Sequence, residues 1–267
     1  MEPQRVAKLI ARAGLCSRRD AERLIAEGRV KLDGRTLTQP GTVIDDPRRL
    51  LVDGKPLAAA ERARLWRYHK PAGLVTTARD PQGRPTVFAS LPAHLPRVIT
   101  IGRLDLTSEG LLLLTNDGAL ARHLELPSTG WVRRYRVRVH GFADPKRLER
   151  LKDGVTVDGV RYGPVEAALE RQKRGNAWLT MALTEGRNRE VRKLCESMGL
   201  TVSRLIRVAY GPFQLGLLPR GEVEEVPGRV LKDQVGGVMQ KEKPPPKEGQ
   251  ARDAPRRGAA RHANHRR

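Results

Sequence analysis

Between residues 134 and 139 arginine alternates with tyrosine or valine, and this stretch constrains the fold most strongly. A period of two indicates a β-strand with one buried face and one face in water. Short apolar stretches predict further strands at 65–68, 98–101, 111–114 and 177–183. The strands outnumber the helical patterns and do not alternate with them. We therefore expect an α+β fold whose largely antiparallel sheet is flanked by helices.

Two helices are predicted inside this main domain, which we place at residues 62–232. One begins at Ala119, directly after the turn formed by Asn116, Asp117 and Gly118. The other runs over residues 189–198, where glycine follows at the C-terminal end.

Residues 1–61 are predicted to form a separate, small module. Val6, Leu9 and Ile10 have helical spacing, and a glycine ends that helix at residue 14. Ser17 is placed to cap a second helix over residues 18–27. Two Asp-Gly pairs further on predict hairpin turns between short strands.

The charge balance of the chain points to a polyanionic partner. Lys and Arg number 51 against 30 Asp and Glu, which gives a net charge of +21. A positive field of this size attracts nucleic acid or an anionic membrane surface. No apolar stretch approaches the roughly 20 residues of a membrane span, so we expect nucleic acid and no membrane partner.

The N-terminal residues are too charged for a signal peptide, and we expect a cytoplasmic protein. Cys16 and Cys195 are widely spaced and predict two reduced thiols rather than a disulfide or a metal site. No metal-ligand spacing is present, so we predict no metal.

Basic residues cluster on the outward face of the two N-terminal helices and just beyond them. A run of charge on a helix is often only a solvated face, but acidic partners are few here, which favours a phosphate-binding surface. The predicted RNA-binding residues of this module are Arg5, Lys8, Arg12, Arg18, Arg19, Arg23 and Arg29, with Lys31 beside them.

Residues 233–267 have a different composition from the rest of the chain. Lys and Arg outnumber Asp and Glu by nine to four, and Pro and Gly replace core residues. This composition predicts a disordered basic tail. Such a tail serves either to keep the protein in solution or to hold RNA nonspecifically.

Asp105 is the strongest candidate for a chemical role. It lies on a loop between two predicted strands, with Gly102 and Gly110 on either side, where a ligand can approach the backbone. Its local pattern alone favours an ordinary turn residue over a catalytic one. Arg103 is placed either to bind a phosphate or to form an ion pair.

A second candidate region lies before the helix at 189–198. Arg187 and Arg189 flank an asparagine in a polar loop that suits a phosphate. His69 and Lys70 precede a proline, and we expect both to be structural.

Two parts of the sequence resemble known families. The stretch RVAKLIARAGLCSRRDAERLIAEGRVKLDG resembles the small RNA-binding domain named after ribosomal protein S-four. The stretch GRLDLTSEGLLLLTNDG resembles the signature of the ribosomal RNA pseudouridine synthases. YHKPAGLVTT and DPQGRPTVF before it, and EGRNREVRKLCESMGLTVSRLIRVAYG and LPRGEVEEV after it, extend the resemblance over almost the whole folded chain. It is closest to the large-subunit enzymes of the B type.

The resemblance implies an activity and a set of site residues. The expected reaction converts a uridine of large-subunit (23S) ribosomal RNA to pseudouridine without a cofactor. Asp105 matches the catalytic aspartate, and Tyr135 matches the aromatic residue that packs on the base. Arg192 matches the basic partner of the aspartate, and Leu205 matches the apolar residue that closes the pocket. Nothing in the sequence requires more than a monomer.

Three alternatives stay open. The target could be small-subunit (16S) ribosomal RNA, although the basic tail and the stretch after the signature favour the large subunit. The chain could instead be a non-catalytic RNA-binding factor of ribosome assembly. A DNA-binding protein ranks last, because no recognition helix is recognisable.

Overall fold

The computed structural model describes residues 2–239 of the chain. Its N-terminal domain combines two helices with short strands. These are β1 (Gln4–Arg5), α1 (Val6–Arg12), α2 (Arg18–Ala26), β2 (Val30–Leu32), β3 (Arg35–Leu37), β4 (Val43–Ile44), β5 (Leu50–Val52) and β6 (Lys55–Pro56). Strands β3, β2, β5 and β6 form one small sheet in that order, and β1 pairs with β4.

Both predicted N-terminal helices are confirmed. The Ser17 hydroxyl caps α2 by accepting a hydrogen bond from the Asp20 N–H at 3.1 Å. Val6, Ile10 and Ile25 are fully buried and form the centre of the domain core. The helices therefore pack through their apolar faces, and much of the basic surface stays exposed to solvent.

The main domain is built around a large sheet. Its elements are β7 (Leu65–Lys70), β8 (Ile99–Ile101), β9 (Ser108–Thr115), α3 (Gly118–Glu125), β10 (Arg133–His140), α4 (Pro145–Glu149), β11 (Val155–Val157), β12 (Val160–Tyr162), β13 (Val165–Lys173), β14 (Asn176–Leu183), α5 (Glu190–Ser197), β15 (Thr201–Tyr210), β16 (Phe213–Gln214), β17 (Val223–Glu225) and α6 (Gly228–Met239). The sheet runs β13-β14-β10-β15-β9-β7-β17, while β8 pairs with β9 and β16 pairs with β15.

The predicted α+β fold with a largely antiparallel sheet is confirmed. All pairings in the main sheet are antiparallel except that of β15 with β9. The alternation in β10 has the expected effect, since Val137 and Val139 are fully buried and Arg136 and Arg138 are exposed. The buried side packs against α4 and α5, and α3 and α6 cover the neighbouring strands.

The parallel pair of β9 and β15 requires glycine at residue 110. Gly110 has a φ of +101°, in the region that disfavours side chains. A Cβ atom there would lie 2.3 Å from the carbonyl oxygen of Arg207. The absence of a side chain thus lets the two backbones approach at the base of the Asp105 loop.

Helix α6 corrects one prediction. It continues to Met239, and Leu231 and Val235 are buried against the main domain core. The prediction of disorder is therefore wrong for residues 233–239, because α6 extends over them and Val235 is buried in the core. The rest of the predicted tail, residues 240–267, lies outside the described residues. Helix α6 is kinked at Val235, and no helix between residues 2 and 239 is long and apolar enough to cross a bilayer.

Candidate active site

Asp105 lies on the loop between β8 and β9 and lines a cleft of about 820 Å³. One third of its side chain (33%) is exposed, so a ligand in the cleft can reach the carboxylate. The Ser108 N–H donates a hydrogen bond to the Asp105 carbonyl oxygen at 3.0 Å and turns the chain into β9. Two glycines flank the loop, as the sequence suggested.

Lys70 stabilises the backbone of this loop. Its buried ammonium donates hydrogen bonds to the carbonyl oxygens of Pro71 at 3.0 Å, Asp105 at 3.1 Å and Ser108 at 2.8 Å. Burial lowers the pKa of Lys70 to about 8, and the charges of Asp105 and Glu109 act in the opposite direction. The structural role expected for Lys70 is thus to fix the backbone that carries Asp105.

Glu109 forms a second support beside the loop. Its buried carboxylate accepts hydrogen bonds from Arg204 at 2.8 and 3.1 Å and lies 2.8 Å from a guanidinium nitrogen of Arg220. The hydrogen bond from Arg204 is the main reason that the pKa of Glu109 is lowered, and the charge of Arg220 adds to it. The start of β9 is therefore tied to β15 by charge as well as by backbone pairing.

Arg192 brings a positive charge to Asp105. Its Nε lies 3.9 Å from the Asp105 carboxylate, and the side chain is 9% exposed. One Nη donates to the Thr107 hydroxyl at 2.9 Å, which fixes the guanidinium against the same loop. Burial and the charge of Arg189 lower the pKa of Arg192, while the charge of Asp105 raises it. An arginine nevertheless stays charged in a protein, so the pair is a contact between opposite charges.

Tyr135 and Leu205 line the same cleft from neighbouring strands. Tyr135 lies on β10 and is partly exposed, whereas Leu205 lies on β15 and is buried. An aromatic ring with an apolar neighbour gives the cleft a surface on which a planar base can stack. The structure therefore places Asp105, Tyr135 and Leu205 in one cleft, with Arg192 beside Asp105.

The rim of the cleft is basic. Arg103, Arg187 and Arg189 are exposed and line it. Arg187 donates a hydrogen bond to Glu185 at 2.8 Å. Arg189 adopts a φ of +53° at the start of α5. All three predicted arginines thus line the cleft that contains Asp105.

Two buried arginines in the cleft wall were not predicted from the sequence. Arg133 donates a hydrogen bond to the Tyr210 hydroxyl at 2.9 Å, and its guanidinium lies 4.7 Å from the centre of that ring. Arg207 donates to the Leu111 carbonyl oxygen at 2.8 Å and lies 5.2 Å from the same ring. The sequence does not set these two arginines apart, because each strand also contains arginines that are not buried.

The predicted basic face of the N-terminal domain is partly present. Arg5, Arg18 and Arg19 are exposed and form no ion pair within residues 2–239, and Lys8 is partly buried. Other members of the set contact acidic groups instead: Arg23 lies 3.1 Å from Asp20, Arg29 lies 2.7 Å from Asp53, and Arg12 lies 3.8 Å from Asp117 of the main domain. The side chains most open to a phosphate are therefore the first three.

The two domains meet near the cleft. A hydrogen bond from Ser17 is the main cause that lowers the pKa of Asp20, and the charges of Arg23 and Arg79 also contribute. Arg79 belongs to the main domain and lines the cleft. Because Arg79 acts on the first turn of α2, the N-terminal basic surface is close to the rim of the cleft.

Two family models match the chain. The model for RNA pseudouridylate synthase matches residues 64–197, and the S4 domain model matches residues 4–46. A solved structure described as a pseudouridylate synthase covers 86% of this chain and 99% of its own, with a TM-score of 0.61 and 23% identity. At that identity the likeness supports the fold alone.

Several relatives are more similar in sequence. An uncharacterized RNA pseudouridine synthase of Rickettsia felis is 48% identical over 228 residues, which covers 85% of this chain and 99% of the relative. The ribosomal large subunit pseudouridine synthase B of Pasteurella multocida is 43% identical over 233 residues, covering 85% of this chain and 68% of the relative. That of Salmonella typhi is 43% identical over 228 residues, covering 82% and 77%. With its fold, its cleft and these matches, the chain belongs to the RNA pseudouridylate synthase family of isomerases.

Proposed function

We propose that the protein isomerises a uridine of ribosomal RNA to pseudouridine, with Asp105 as the catalytic residue. The observation that carries this proposal is the 3.9 Å contact between Arg192 and a partly exposed Asp105 in the wall of a cleft. A carboxylate held beside a fixed guanidinium, yet open to a ligand, suits a reaction at a ribose.

The reaction breaks the bond from the ribose anomeric carbon to N1 of uracil and forms a bond from the same carbon to C5. The hydrogen on C5 leaves as a proton, and N1 gains one. The product is an isomer of the substrate, so no oxidant, reductant or energy source is consumed. Asp105 acts either as the nucleophile at the anomeric carbon or as the base that removes a neighbouring ribose proton.

The uridine must leave its stack to reach Asp105. Extruding a base costs about a few kcal/mol, and stacking on an aromatic side chain returns about 1–3 kcal/mol. Tyr135 offers that ring at the cleft wall, with Leu205 beside it. We assign these two residues to the uracil base and Arg192 to the orientation of Asp105.

The RNA backbone is bound by the basic rim. Arg103, Arg187 and Arg189 surround the cleft, and Arg5, Arg18 and Arg19 extend positive charge onto the N-terminal domain. Backbone contacts of this kind set the position and orientation of the RNA without reading its sequence.

The substrate is proposed from the relatives. The Pasteurella and Salmonella proteins are named for the ribosomal large subunit, and we extend that target to this chain. Small-subunit RNA and a non-catalytic role in ribosome assembly are the alternatives. We further propose that the protein works as a monomer in the cytoplasm, without membrane, metal or cofactor.

The test replaces Asp105 by Asn and compares the variant with Asp158→Asn, an exposed control on the β11–β12 turn. Both proteins are incubated with unmodified large-subunit and small-subunit transcripts labelled with tritium at uracil C5. Asp105→Asn should bind RNA but release no tritium, and the control should match the wild type. Tritium release by Asp105→Asn would refute the catalytic role. Release only from the small-subunit transcript would refute the choice of target.

A further inference from the structure

A second concave surface lies on the exposed face of β10, opposite the face that carries Tyr135. We name it the hairpin pocket, since it is formed mainly by the β13–β14 hairpin and has a volume of about 510 Å³. The pocket is lined by Arg138, Arg171, Lys173, Arg174, Asn176 and Trp178. Arg138 alternates with the buried Val137 and Val139. It therefore projects away from the core that supports Tyr135 and Leu205.

The four cationic side chains of the pocket lack acidic partners. Within residues 2–239 none of Arg138, Arg171, Lys173 and Arg174 forms an ion pair, and no acidic residue lines the pocket. Nearby arginines behave differently, because Arg136 bonds to Glu170 at 2.9 Å. The positive charge of the hairpin pocket is thus not neutralised by an ion pair with any residue between 2 and 239.

Trp178 lies among these cationic side chains. It is directly opposite Arg138 on β10 and Arg171 on β13. The guanidinium of Arg136 lies 4.6 Å from the centre of its ring, and the ring is partly exposed. An aromatic ring between cationic neighbours is the arrangement that surfaces for single-stranded nucleic acid use, with phosphates on the cations and a base on the ring.

The backbone of the hairpin turn also favours a functional role. Arg174 has a φ of +52°, where aspartate, asparagine and glycine are better tolerated than arginine. Between residues 2 and 239 the other non-glycine residues with a positive φ are three aspartates and Arg189, and Arg189 lines the cleft. An arginine in an unfavourable conformation therefore occurs at both basic concave surfaces.

We propose that the hairpin pocket is a second RNA-binding surface. It takes the phosphates of an RNA segment other than the one that enters the cleft and stacks an unpaired base on Trp178. The proposal rests on the proposed RNA substrate and extends it to a second contact. The pocket has four cations, no acidic group and a single aromatic side chain that can stack a base, so RNA is the partner whose charge and bases it fits.

The test compares two triple variants that lose the same charge. One is Arg138→Ala, Arg171→Ala and Lys173→Ala in the pocket. The control is Arg150→Ala, Arg229→Ala and Lys232→Ala, at exposed positions elsewhere. Affinity for an unmodified large-subunit transcript is measured over a range of salt concentrations, and tritium release is measured at saturating RNA.

The pocket variant should bind about tenfold more weakly than the control. The slope of its log affinity against log salt concentration should be shallower by about two. Its turnover at saturating RNA should equal that of the control, because the pocket does not touch Asp105. Equal affinities and equal salt slopes for the two variants would overturn the proposal. If the wild type releases no tritium from the transcript, the proposed function fails, while the comparison of affinities still decides on the pocket.

Trp178 provides an independent test. Trp178→Phe keeps an aromatic ring and should bind the transcript nearly as well as the wild type, whereas Trp178→Ala should bind about tenfold more weakly. Circular dichroism of both variants checks that the sheet is intact. Equal loss of affinity in the two folded variants would exclude base stacking at this position and overturn that part of the proposal.

Discussion

Replacing Lys70 by methionine tests whether the Asp105 loop is held by a buried ammonium. Methionine keeps the length and apolar character of the side chain and removes three hydrogen bonds to carbonyl oxygens. Hydrogen bonds from a charged donor contribute about 1.5–3 kcal/mol each, so the three contribute about 5–9 kcal/mol. The fall in the pKa of Lys70 from 10.5 to about 8 means that burying the charge costs about 3 kcal/mol, which offsets part of the hydrogen-bond contribution. We expect a net loss of about 2–6 kcal/mol at neutral pH.

The pH dependence gives this prediction its distinctive sign. The folded-state pKa of Lys70, about 8, lies below the unfolded value of 10.5, so the unfolded chain binds more protons between these values. Stability from this group therefore rises as pH increases through that window, and the variant lacks the contribution. Between about pH 7 and about pH 9.5 the stability difference between wild type and variant should widen by about 2 kcal/mol.

Urea unfolding at both pH values measures that difference, and Lys55→Met serves as the control because Lys55 is exposed. Tritium release should fall by about a hundredfold in Lys70→Met, since a small displacement of a catalytic group costs about that much in rate. A stability difference that is the same at both pH values would show that Lys70 is not the buried cation that the structure indicates. A wild-type rate in a destabilised variant would show that the loop does not depend on it.

Three further substitutions test other parts of the structure. Gly110→Ala should unfold or strongly destabilise the protein, as seen in a thermal melt, because its Cβ would lie 2.3 Å from the Arg207 carbonyl oxygen; an unchanged melting temperature would contradict the close approach of β9 and β15. Tyr135→Ala should lower kcat/KM by about tenfold or more, whereas Tyr135→Phe should keep most of it, because the ring is the stacking surface. Equal kcat/KM values for the two variants would show that the ring of Tyr135 does not bind the base. Asp117→Ala should lower stability by about 1–2 kcal/mol in urea unfolding, because its carboxylate caps α3 through the N–H groups of residues 119 and 120 and lies near Arg12; an unchanged midpoint would contradict the cap.

The fold was predictable where short-range patterns decide it. Ser17 and the glycine after α1 mark the N-terminal helices, and the alternation in β10 marks its buried face. Strand β13 was not predicted, because it lies at the edge of the sheet and exposes most of its residues, so its period is weak. Helix α6 was missed for a related reason. Among the side chains of α6 that the structure describes, Leu231 and Val235 are the buried ones, and their partners are distant in sequence.

The site was only partly predictable. Its position on a loop followed from the glycines around Asp105, whereas the roles of Tyr135, Arg192 and Leu205 came from the family resemblance. The support given by Lys70 depends on tertiary contacts, since its three acceptors lie on two segments that only the folded chain brings together. A lysine before a proline gives no indication that its side chain is buried. The sequence around Arg207 likewise does not indicate that its side chain is buried.

The parallel pairing of β9 with β15 explains why these distant segments meet at Asp105. The Asp105 loop leads directly into β9, and α5, which carries Arg192, leads directly into β15. Ser108, the first residue of β9, pairs with Leu205 in the middle of β15, and the parallel register means that both strands run in the same direction. The element before each strand is then placed at the same edge of the sheet, which brings the carboxylate and the guanidinium to 3.9 Å. An antiparallel pair would set the two elements at opposite ends. The one parallel contact in the main sheet is therefore the feature of the topology that assembles the site.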